Sequence, residues 1–436
     1  MSPYISPVEG ASSQAGPSRP QISSPPVLAS IGTVLIDAFD CPPRPVLDGI
    51  PTPPPTPTVR SDSDPRTPLS HSQNIFSPIP HLLSPSSPKL NGSRLSTPQL
   101  SFGDDSPIPN AKDVYEMLGG GALYALVGAR LWLPSAKLKT LVDRSAEVND
   151  LPAGVENKLA SLGEDMWVWN RGKGTRMTRA RIRYEGDVRF FQQIVRAPYR
   201  TISQLAESPL YNAEYLHISP PYSPEDVAKL QAELAILNES RESSWRPKIV
   251  FEPTPPSCHP GQKRWVEQIL PGIEVLSPNH EELFSFYSIP TMSMTDPDLR
   301  PTVERIITHI LFQVGIGQDD NGIVVVRCGR LGACVGTKAG GLKWCPAYFD
   351  EVDSDRVKDV TGAGNSFLGG YIAGLSICND PYEASLYATV SASFVVEQFG
   401  LPVLTTTTND TQEYWNGDLP RKRLEKLRIR VGQTDM

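Results

Sequence analysis

The sequence predicts an α/β fold with a mainly parallel central sheet. Short apolar runs of strand length alternate with longer segments of helical periodicity. Such alternation is typical of sheets with helices on both faces, and 436 residues are enough for a substantial core. The most apolar window, residues 118–134, is shorter than the ~20 residues of a membrane span and contains Arg130. It therefore predicts a buried helix.

The first predicted strand lies at residues 27–31. Gly32 breaks it, and a second β-type run at 34–36 continues it as far as Asp37. After a helix at 118–133, residues 176–191 alternate in hydrophobicity around Glu185-Gly186-Asp187, which predicts a β-hairpin.

The remaining predicted elements follow in chain order. The strands are short apolar runs at residues 215–218, 248–251, 275–276 and 323–327. The helices have apolar periodicity and lie at residues 225–237, 265–270, 281–287, 301–312, 366–375 and 384–399.

Composition argues against several classes of protein. The net charge is −7 and the pI about 5.5, so we expect no direct nucleic-acid binding. The basic cluster at 421–430 predicts a solvated amphipathic helix. The six cysteines form no CxxC pair, which argues against a zinc site and favours reduced thiols. With no signal-peptide pattern at the start, we predict a cytoplasmic protein without a membrane partner.

Proline divides the chain, because more than half of the 44 prolines lie in residues 1–110. Residues 1–24 and 41–111 are predicted to be disordered. The globular part is predicted at 25–40 and 112–405, followed by a C-terminal tail at 406–436. Ser/Thr-Pro pairs recur across residues 52–106. Three interpretations stay open: a tolerated low-complexity insertion, a target of a regulatory proline-directed kinase, or an incorrectly predicted exon.

The most informative stretch is residues 359–370, Asp-Val-Thr-Gly-Ala-Gly-Asn-Ser-Phe-Leu-Gly-Gly. The glycines predict a turn that leads into a helix. Unpaired N–H groups at a helix start lie at the positive end of its dipole, so Gly362, Ala363 and Gly364 predict an anion hole for a phosphoryl group.

Other patterns come before this stretch. Asn279 and Glu282 follow a strand and open a helix, which fits a helix cap with its capping Glu three residues on. Gly329 and Gly332 predict the turn of a strand–turn–strand hairpin at 324–335. Residues 119–121, Gly-Gly-Gly, lie before a helix of small residues.

Together these patterns resemble the signatures of the PfkB, or ribokinase-like, carbohydrate kinases. The resemblance covers about three-quarters of the chain outside the insertion and is closest to the fungal maintenance-of-killer branch, which shares the Tyr414-Trp415-Asn416 tail. It implies a three-layer α/β/α sandwich with a small β lid, for which the hairpin at 170–195 is the candidate. It also implies a homodimer, since relatives often pair through lid strands.

The resemblance also implies roles for individual residues. The implied cofactors are ATP, Mg²⁺ and a monovalent cation, with a small molecule as substrate. Asp37, Gly120 and Gly121 would bind that substrate. The nucleotide would be bound by Asn279, Glu282, Gly329, Gly332 and Thr361, and the metal by Glu282 and Asp359. Glu252 falls where the family has an acidic residue after a strand.

Two positions depart from the family pattern. Asn365 replaces the Asp that serves as catalytic base, and an amide cannot take up a proton. Tyr124 replaces an Asn that helps to bind sugar. Two hypotheses remain open. The first is an ATP-dependent phosphotransferase in which Asn365 orients the hydroxyl, or in which Asp37 or Asp359 acts as the base. The second is a pseudokinase that binds a nucleotide or metabolite and acts through partners.

Overall fold

The computed structural model describes residues 24–39, 115–185, 188–240, 245–406 and 412–434. The segments predicted to be disordered lie outside these ranges, apart from Ser24. The Ser/Thr-Pro pairs of residues 52–106 lie outside them as well.

The strands belong to three sheets. They are β1 (Leu28–Ile31), β2 (Leu35–Phe39), β3 (Tyr115–Gly119), β4 (Leu138–Asp143), β5 (Trp167–Asn170), β6 (Thr178–Glu185), β7 (Val188–Val195), β8 (Tyr215–Ile218), β9 (Lys248–Phe251), β10 (Val275–Leu276), β11 (Ile323–Arg327), β12 (Ala333–Thr337), β13 (Gly341–Cys345), β14 (Leu404–Thr406) and β15 (Glu413–Trp415).

The α-helices of the described residues lie between these strands, apart from the last helix, which follows β15. They are α1 (Gly121–Arg130), α2 (Val155–Leu162), α3 (Ile202–Ala206), α4 (Pro224–Ser240), α5 (Lys263–Ile269), α6 (His280–Phe286), α7 (Leu299–His309), α8 (Ala363–Cys378), α9 (Pro381–Val395) and α10 (Pro420–Thr434). The predicted helices from residue 225 onward are confirmed, with ends that differ by a few residues.

The central sheet has the strand order β13-β12-β11-β10-β9-β8-β1-β4-β5. The seven strands from β11 through β10, β9, β8, β1 and β4 to β5 pair in parallel. β12 and β13 form antiparallel pairs at one edge. The predicted hairpin around Gly329 and Gly332 is the β11–β12 pair. The prediction of a mainly parallel sheet is therefore confirmed.

Two hydrophobic clusters lie on opposite faces of this sheet. Successive residues of one strand join different clusters, so Val250 of β9 faces one layer while Ile249 and Phe251 face the other. The first cluster contains side chains of α1, α8 and α9, and the second contains side chains of α4 to α7. Because side chains alternate along a strand, this is the predicted three-layer sandwich.

The small sheet is larger than the predicted hairpin. Its strand order is β3-β2-β6-β7, so β2 and β3 extend the β6–β7 hairpin into a four-stranded sheet. The prediction that residues 34–36 continue the first strand is wrong. Gly32 has a φ of +151°, and a Cβ there would lie 1.9 Å from Ser219 Oγ. At this glycine the chain leaves the central sheet and enters the small one.

The helix predicted at 118–133 begins later. Residues 115–119 form β3, and α1 starts after Gly120, whose φ is +110°. Its small residues allow close helix packing: a Cβ on Gly128 would lie 2.0 Å from Ser366 O, and one on Gly369 would lie 1.7 Å from Ala125 O. Glycine at both positions therefore lets the backbones of α1 and α8 touch.

The segment predicted as a C-terminal tail packs on the core. β14 and β15 pair, Trp415 is buried, and α10 contacts α9. Leu424 and Leu427 of α10 are buried in the first cluster, so this helix has a packed face as well as a solvated one. Among the described residues, no helix is long and apolar enough to cross a membrane.

Candidate active site

A cleft of about 640 Å³ opens at the carboxyl ends of the central strands. Pro220 follows β8, Glu252 follows β9, Asn279 follows β10 and Arg327 ends β11, and all four line the cleft. Parallel strands bring their carboxyl ends to one edge of a sheet, where α/β proteins bind ligands. The fold thus brings together residues that are far apart in the sequence.

The start of α8 forms one side of this cleft. Gly362 has a φ of +79°, and Ala363, Gly364 and Asn365 line the cleft. The Ala363 N–H donates to Val360 O and the Ser366 N–H to Gly362 O. The amides of Gly364 and Asn365 belong to the first turn and have no acceptor within the helix. The predicted glycine turn into a helix is therefore present, and its role as an anion hole stays a prediction.

Asp359 and Thr361 lie just before this turn. The Asp359 carboxylate accepts a hydrogen bond from the Thr361 N–H at 2.9 Å. Neither residue is among the described residues that line the cleft. The observed role of Asp359 is thus to shape the turn, and its proposed role at a metal stays a prediction.

Asn279 and Glu282 form a capping box at the start of α6. The Asn279 side chain accepts from the Glu282 N–H, and the Glu282 carboxylate accepts from the Asn279 N–H, both at 2.8 Å. The helix-cap interpretation is therefore correct at the local level. Both side chains also line the cleft, so the cap places them beside the start of α8.

Arg327 lies at the centre of the polar end of the cleft. Its guanidinium pairs with Glu252 Oε1 at 2.6 Å, lies 3.6 Å from Glu282 Oε2 and donates to Ser277 O at 2.9 Å. A Cβ on Gly364 would lie 2.2 Å from Arg327 Nη1. A cationic side chain thus lies against the start of α8, which the sequence analysis did not predict.

Glu252 connects Arg327 to Asn365. The Asn365 Nδ2 group donates to Glu252 Oε2 at 2.8 Å. Burial alone would raise the pKa of Glu252, but Arg327, His217 and Asn365 lower it, and the net pKa lies below the ordinary value. Glu252 is therefore an ionised, buried carboxylate. Its bond to the Asn365 amide leaves the Asn365 carbonyl oxygen as the acceptor group of that side chain.

The pKa of Glu282 is shifted in the opposite direction to that of Glu252. Burial raises its pKa to about 7, although Arg327 and the Asn279 N–H oppose that effect. Near neutral pH a large fraction of this carboxyl therefore stays protonated, and a cation in the cleft would favour its ionised form.

A buried polar chain continues behind Glu252. His217 Nε2 lies 3.3 Å from Glu252 Oε2, and His217 Nδ1 is hydrogen-bonded to Ser30 Oγ at 2.9 Å. Ser30 and His217 are paired across the neighbouring strands β1 and β8. Both are fully buried, so they support Glu252 and are not accessible to a ligand.

The predicted acceptor-binding residues lie beside the cleft. Asp37 is buried in β2, and a Cβ on Gly119 would lie 2.1 Å from Asp37 Oδ2. The Gly121 N–H donates to Thr33 Oγ1, and a Cβ on Gly121 would lie 3.2 Å from Asn365 Nδ2. The Gly-Gly-Gly segment at residues 119–121 thus approaches the Asn365 side chain closely.

Tyr124 fills the space beside the glycine turn. Its ring lies about 2.4 Å from where a Cβ on Gly362 would be. Burial raises its pKa, and the nearby carboxylates of Asp359 and Asp37 raise it further. Tyr124 therefore lies close to both acidic residues and to the turn that begins α8.

The far end of the cleft is apolar. Gly329 and Gly332 line it at the β11–β12 turn, where Gly332 has a φ of +89° and a Cβ would lie 1.9 Å from Cys345 O. Beyond this turn lie Ala347, Tyr348, Phe349, Val357, Ala392 and Val396. Such a surface suits a flat, weakly polar group.

Among the described residues, no three His, Cys, Asp or Glu side chains converge as a metal site. Of the predicted site residues, Asn279, Glu282, Gly329, Gly332, Ala363, Gly364 and Asn365 lie together in the cleft, and Gly362 starts the helix there. Asp37, Gly120, Gly121, Asp359 and Thr361 lie outside its lining. Arg327, His217 and Ser30 were missed, because their partners are remote in sequence.

Comparisons with other proteins agree with this geometry. The profile of the pfkB family carbohydrate kinases matches residues 179–407. An uncharacterized protein of Schizosaccharomyces pombe is 30% identical over 74% of this chain and 89% of its own length. Protein MAK32 of Saccharomyces cerevisiae is 26% identical over 73% of this chain and 86% of its own, which confirms the resemblance to the maintenance-of-killer branch.

Solved structures share the fold. Ribokinase of Cryptococcus neoformans in complex with ADP has a TM-score of 0.52 and 19% identity, covering 86% of this chain and 95% of its own. Adenosine kinase of Schistosoma mansoni in complex with 2-fluoroadenosine has a TM-score of 0.55 and 11% identity, covering 89% and 99%. The predicted ribokinase-like fold is therefore confirmed.

Proposed function

Because this chain belongs to the pfkB family of carbohydrate kinases, we propose that it binds Mg-ATP in its cleft and transfers the terminal phosphoryl group to a hydroxyl of a sugar- or nucleoside-like molecule. One observation carries the proposal. The amides at the start of α8, the Arg327 guanidinium and the Asn279–Glu282 capping box all lie in the same cleft.

The polar end of the cleft suits a polyphosphate. Helix-start amides and a guanidinium donate to phosphate oxygens, and both are present at Gly364 and Arg327. Glu252 and Glu282 hold Arg327 in place, so its fork is oriented before a ligand arrives. The transferred phosphoryl would lie between these donors and Asn365.

The residues present fit a magnesium ion carried by the nucleotide. When bound, the ion would supply positive charge that offsets the charge of the phosphates. Glu282 would hold it, because this carboxyl lines the cleft and its raised pKa makes it responsive to a nearby cation. Asp359 is the second proposed residue, since its carboxylate lies at the turn before α8.

The acceptor would lie between the small sheet and Asn365. Asp37 and the loop at Gly120 and Gly121 would bind its hydroxyl groups. The Asn365 amide donates to Glu252, so its carbonyl oxygen would accept a hydrogen bond from the attacking hydroxyl and orient it. Loss of a general base typically costs ~10²–10⁴-fold in rate. We therefore propose a slow phosphotransferase.

A nucleotide-binding protein without turnover is the second candidate. The observation that favours it is the amide at the base position, tied to an ionised Glu252. Tyr124 adds to it, since its ring lies against Gly362 where the family has an Asn. Both candidates require the same nucleotide site.

Titration calorimetry with Mg-ATP tests that shared site. We expect the wild type to bind and Gly364→Trp to lose binding, because the indole would fill the anion hole. Gly432→Trp is the matched control, since nothing lies within 4 Å of a Cβ at that exposed position. A folded wild type that binds no Mg-ATP would refute both candidates.

Product release then separates the two candidates. The wild type and Asn365→Asp are incubated with Mg-ATP and a panel of sugars and nucleosides, and acceptor-dependent ADP formation is measured. Wild-type turnover above that of Gly364→Trp supports the slow phosphotransferase. If neither the wild type nor Asn365→Asp shows turnover and both still bind Mg-ATP, the second candidate is supported.

A further inference from the structure

The apolar wall of the cleft (Ala347, Tyr348 and Phe349) follows β13 and lies outside the sheets. Its backbone is bound instead by the C-terminal helix. The Arg430 guanidinium donates to Tyr348 O at 2.8 Å and to Ala347 O at 2.6 Å. The planar, five-donor guanidinium can bind two neighbouring carbonyl groups at once, which an ammonium group does less well.

A second arginine of α10 lies behind the same wall. Arg423 is 2% exposed and donates to Asp418 Oδ2, Glu397 Oε2 and Ser393 Oγ at 2.9, 2.8 and 3.0 Å. Its guanidinium lies 3.8 Å from the ring centre of Phe394, and 5.5 and 6.0 Å from those of Tyr348 and Phe349.

Glu397 extends these contacts to the other side of the wall. Besides Arg423, it pairs with Arg356, whose guanidinium lies 4.7 Å from the ring centre of Phe349. Phe349 is thus in contact with two cationic groups, which attract the face of an aromatic ring. The wall is held by charges and hydrogen bonds that come largely from the last helix.

We propose that α10 positions the apolar wall for the base of the bound nucleotide, with Arg430 and Arg423 as positioning residues. The inference rests on the proposed nucleotide site, but the positioning residues are not those proposed to bind phosphate. Without the Arg430 fork, the carbonyls of Ala347 and Tyr348 lose their donors and the wall is free to move. Affinity for the base should fall while affinity for phosphates remains.

Calorimetry of Arg430→Ala tests this with two probes, Mg-ATP and magnesium tripolyphosphate. We expect Mg-ATP binding to weaken about 10-fold, which corresponds to ~1.4 kcal/mol, and tripolyphosphate binding to stay unchanged. Arg430→Lys should give a smaller loss. Arg421→Ala is the control, since it removes an exposed arginine from the same helix.

Amide hydrogen exchange gives a readout that needs no nucleotide. Exchange across residues 347–349 should rise in Arg430→Ala and stay unchanged in Arg421→Ala. Unchanged exchange, or equal loss of affinity for both probes, would overturn the inference, the second result because it indicates general damage to the fold. A wild type that binds neither probe would instead refute the nucleotide site. If the wild type binds Mg-ATP and Arg430→Ala binds it equally well, only the role of α10 would be refuted.

Discussion

At the scale of single residues, the surroundings of Asn365 are determined by its neighbour Glu252. Asn365 does not face an empty pocket, because its amide donates to Glu252, which is itself paired with Arg327. An Asp at this position would place a second carboxylate beside an ionised one. Asn365→Asp therefore changes the charge of the site as well as its hydrogen bonds.

Asn365→Asp should make stability fall as pH rises. The Glu252 charge would hold the pKa of the new carboxyl above its value in the unfolded chain, so the folded state retains a proton that the unfolded state loses. If the folded-state pKa lies about one pH unit above the unfolded-state value, the variant loses ~1.4 kcal/mol relative to wild type between pH 3 and pH 7. Chemical denaturation of both proteins across this range measures it.

Asn365→Ala serves as the control. It loses the hydrogen bond without adding a carboxyl group at position 365, so its pH slope should be much smaller than that of Asn365→Asp. A pH-independent loss in Asn365→Asp would contradict the expectation.

Glu282→Gln should gain stability relative to wild type as pH rises. The folded-state pKa of Glu282 is about 7 against an ordinary value of 4.5, so wild-type stability falls between these values. The difference approaches ~3 kcal/mol above pH 7, and it vanishes below pH 4.5. Gln keeps the capping box, since its amide oxygen also accepts from the Asn279 N–H. Denaturation at pH 4.5 and 8 without nucleotide would reveal a flat difference if this is wrong.

At the scale of elements, the sequence predicts what local chemistry decides. Glycine turns, the cap at Asn279 and the helices from residue 225 onward have local signals, and the structure contains them. The extension of the predicted hairpin by β2 and β3 has no such signal, because β2 pairs with β6 across a large sequence separation. Arg327 was missed for the same reason: its partner Glu252 follows a different strand. The predicted roles of Asp37, Asp359 and Thr361 stay predictions.

Packing between α1 and α8 depends on glycine. Gly369→Ala would place a methyl group 1.7 Å from Ala125 O, so the two helices must move apart. We expect a loss of about 3 kcal/mol in unfolding free energy, measured by urea denaturation. Gly432→Ala is the control and should be stabilising, since alanine favours an exposed helix. Equal effects of both substitutions would show that helix propensity, and not close packing, determines the result.

At the scale of the whole molecule, the chain makes a long excursion between two adjacent strands. Phe39 at the end of β2 is paired with Tyr115 at the start of β3 in an antiparallel register. Residues 40–114 thus connect strand ends that a short turn could join. A tolerated insertion was one of three interpretations that the sequence left open, and the sequence could not show that the strands on either side of it are paired.

Replacing residues 41–113 with a short turn should keep the fold and stabilise it. Loop-closure entropy grows with the logarithm of loop length, so shortening should contribute about 2 kcal/mol. Urea denaturation of the full chain and the shortened variant measures this, with Mg-ATP binding as the check on the cleft. Loss of cooperative unfolding would show that the segment is part of the folded structure.

The position of α10 has a consequence for synthesis. Chains grow from the amino end, so the helix that carries Arg423 and Arg430 leaves the ribosome after the residues that line the cleft. Until then, the nascent chain has every glycine and acidic residue of the cleft but lacks the groups that hold Ala347 and Tyr348. A nonsense mutation shortly before codon 423 would spare all of the family's signature motifs. It should nevertheless weaken nucleotide binding, because it removes the α10 contacts with Ala347 and Tyr348.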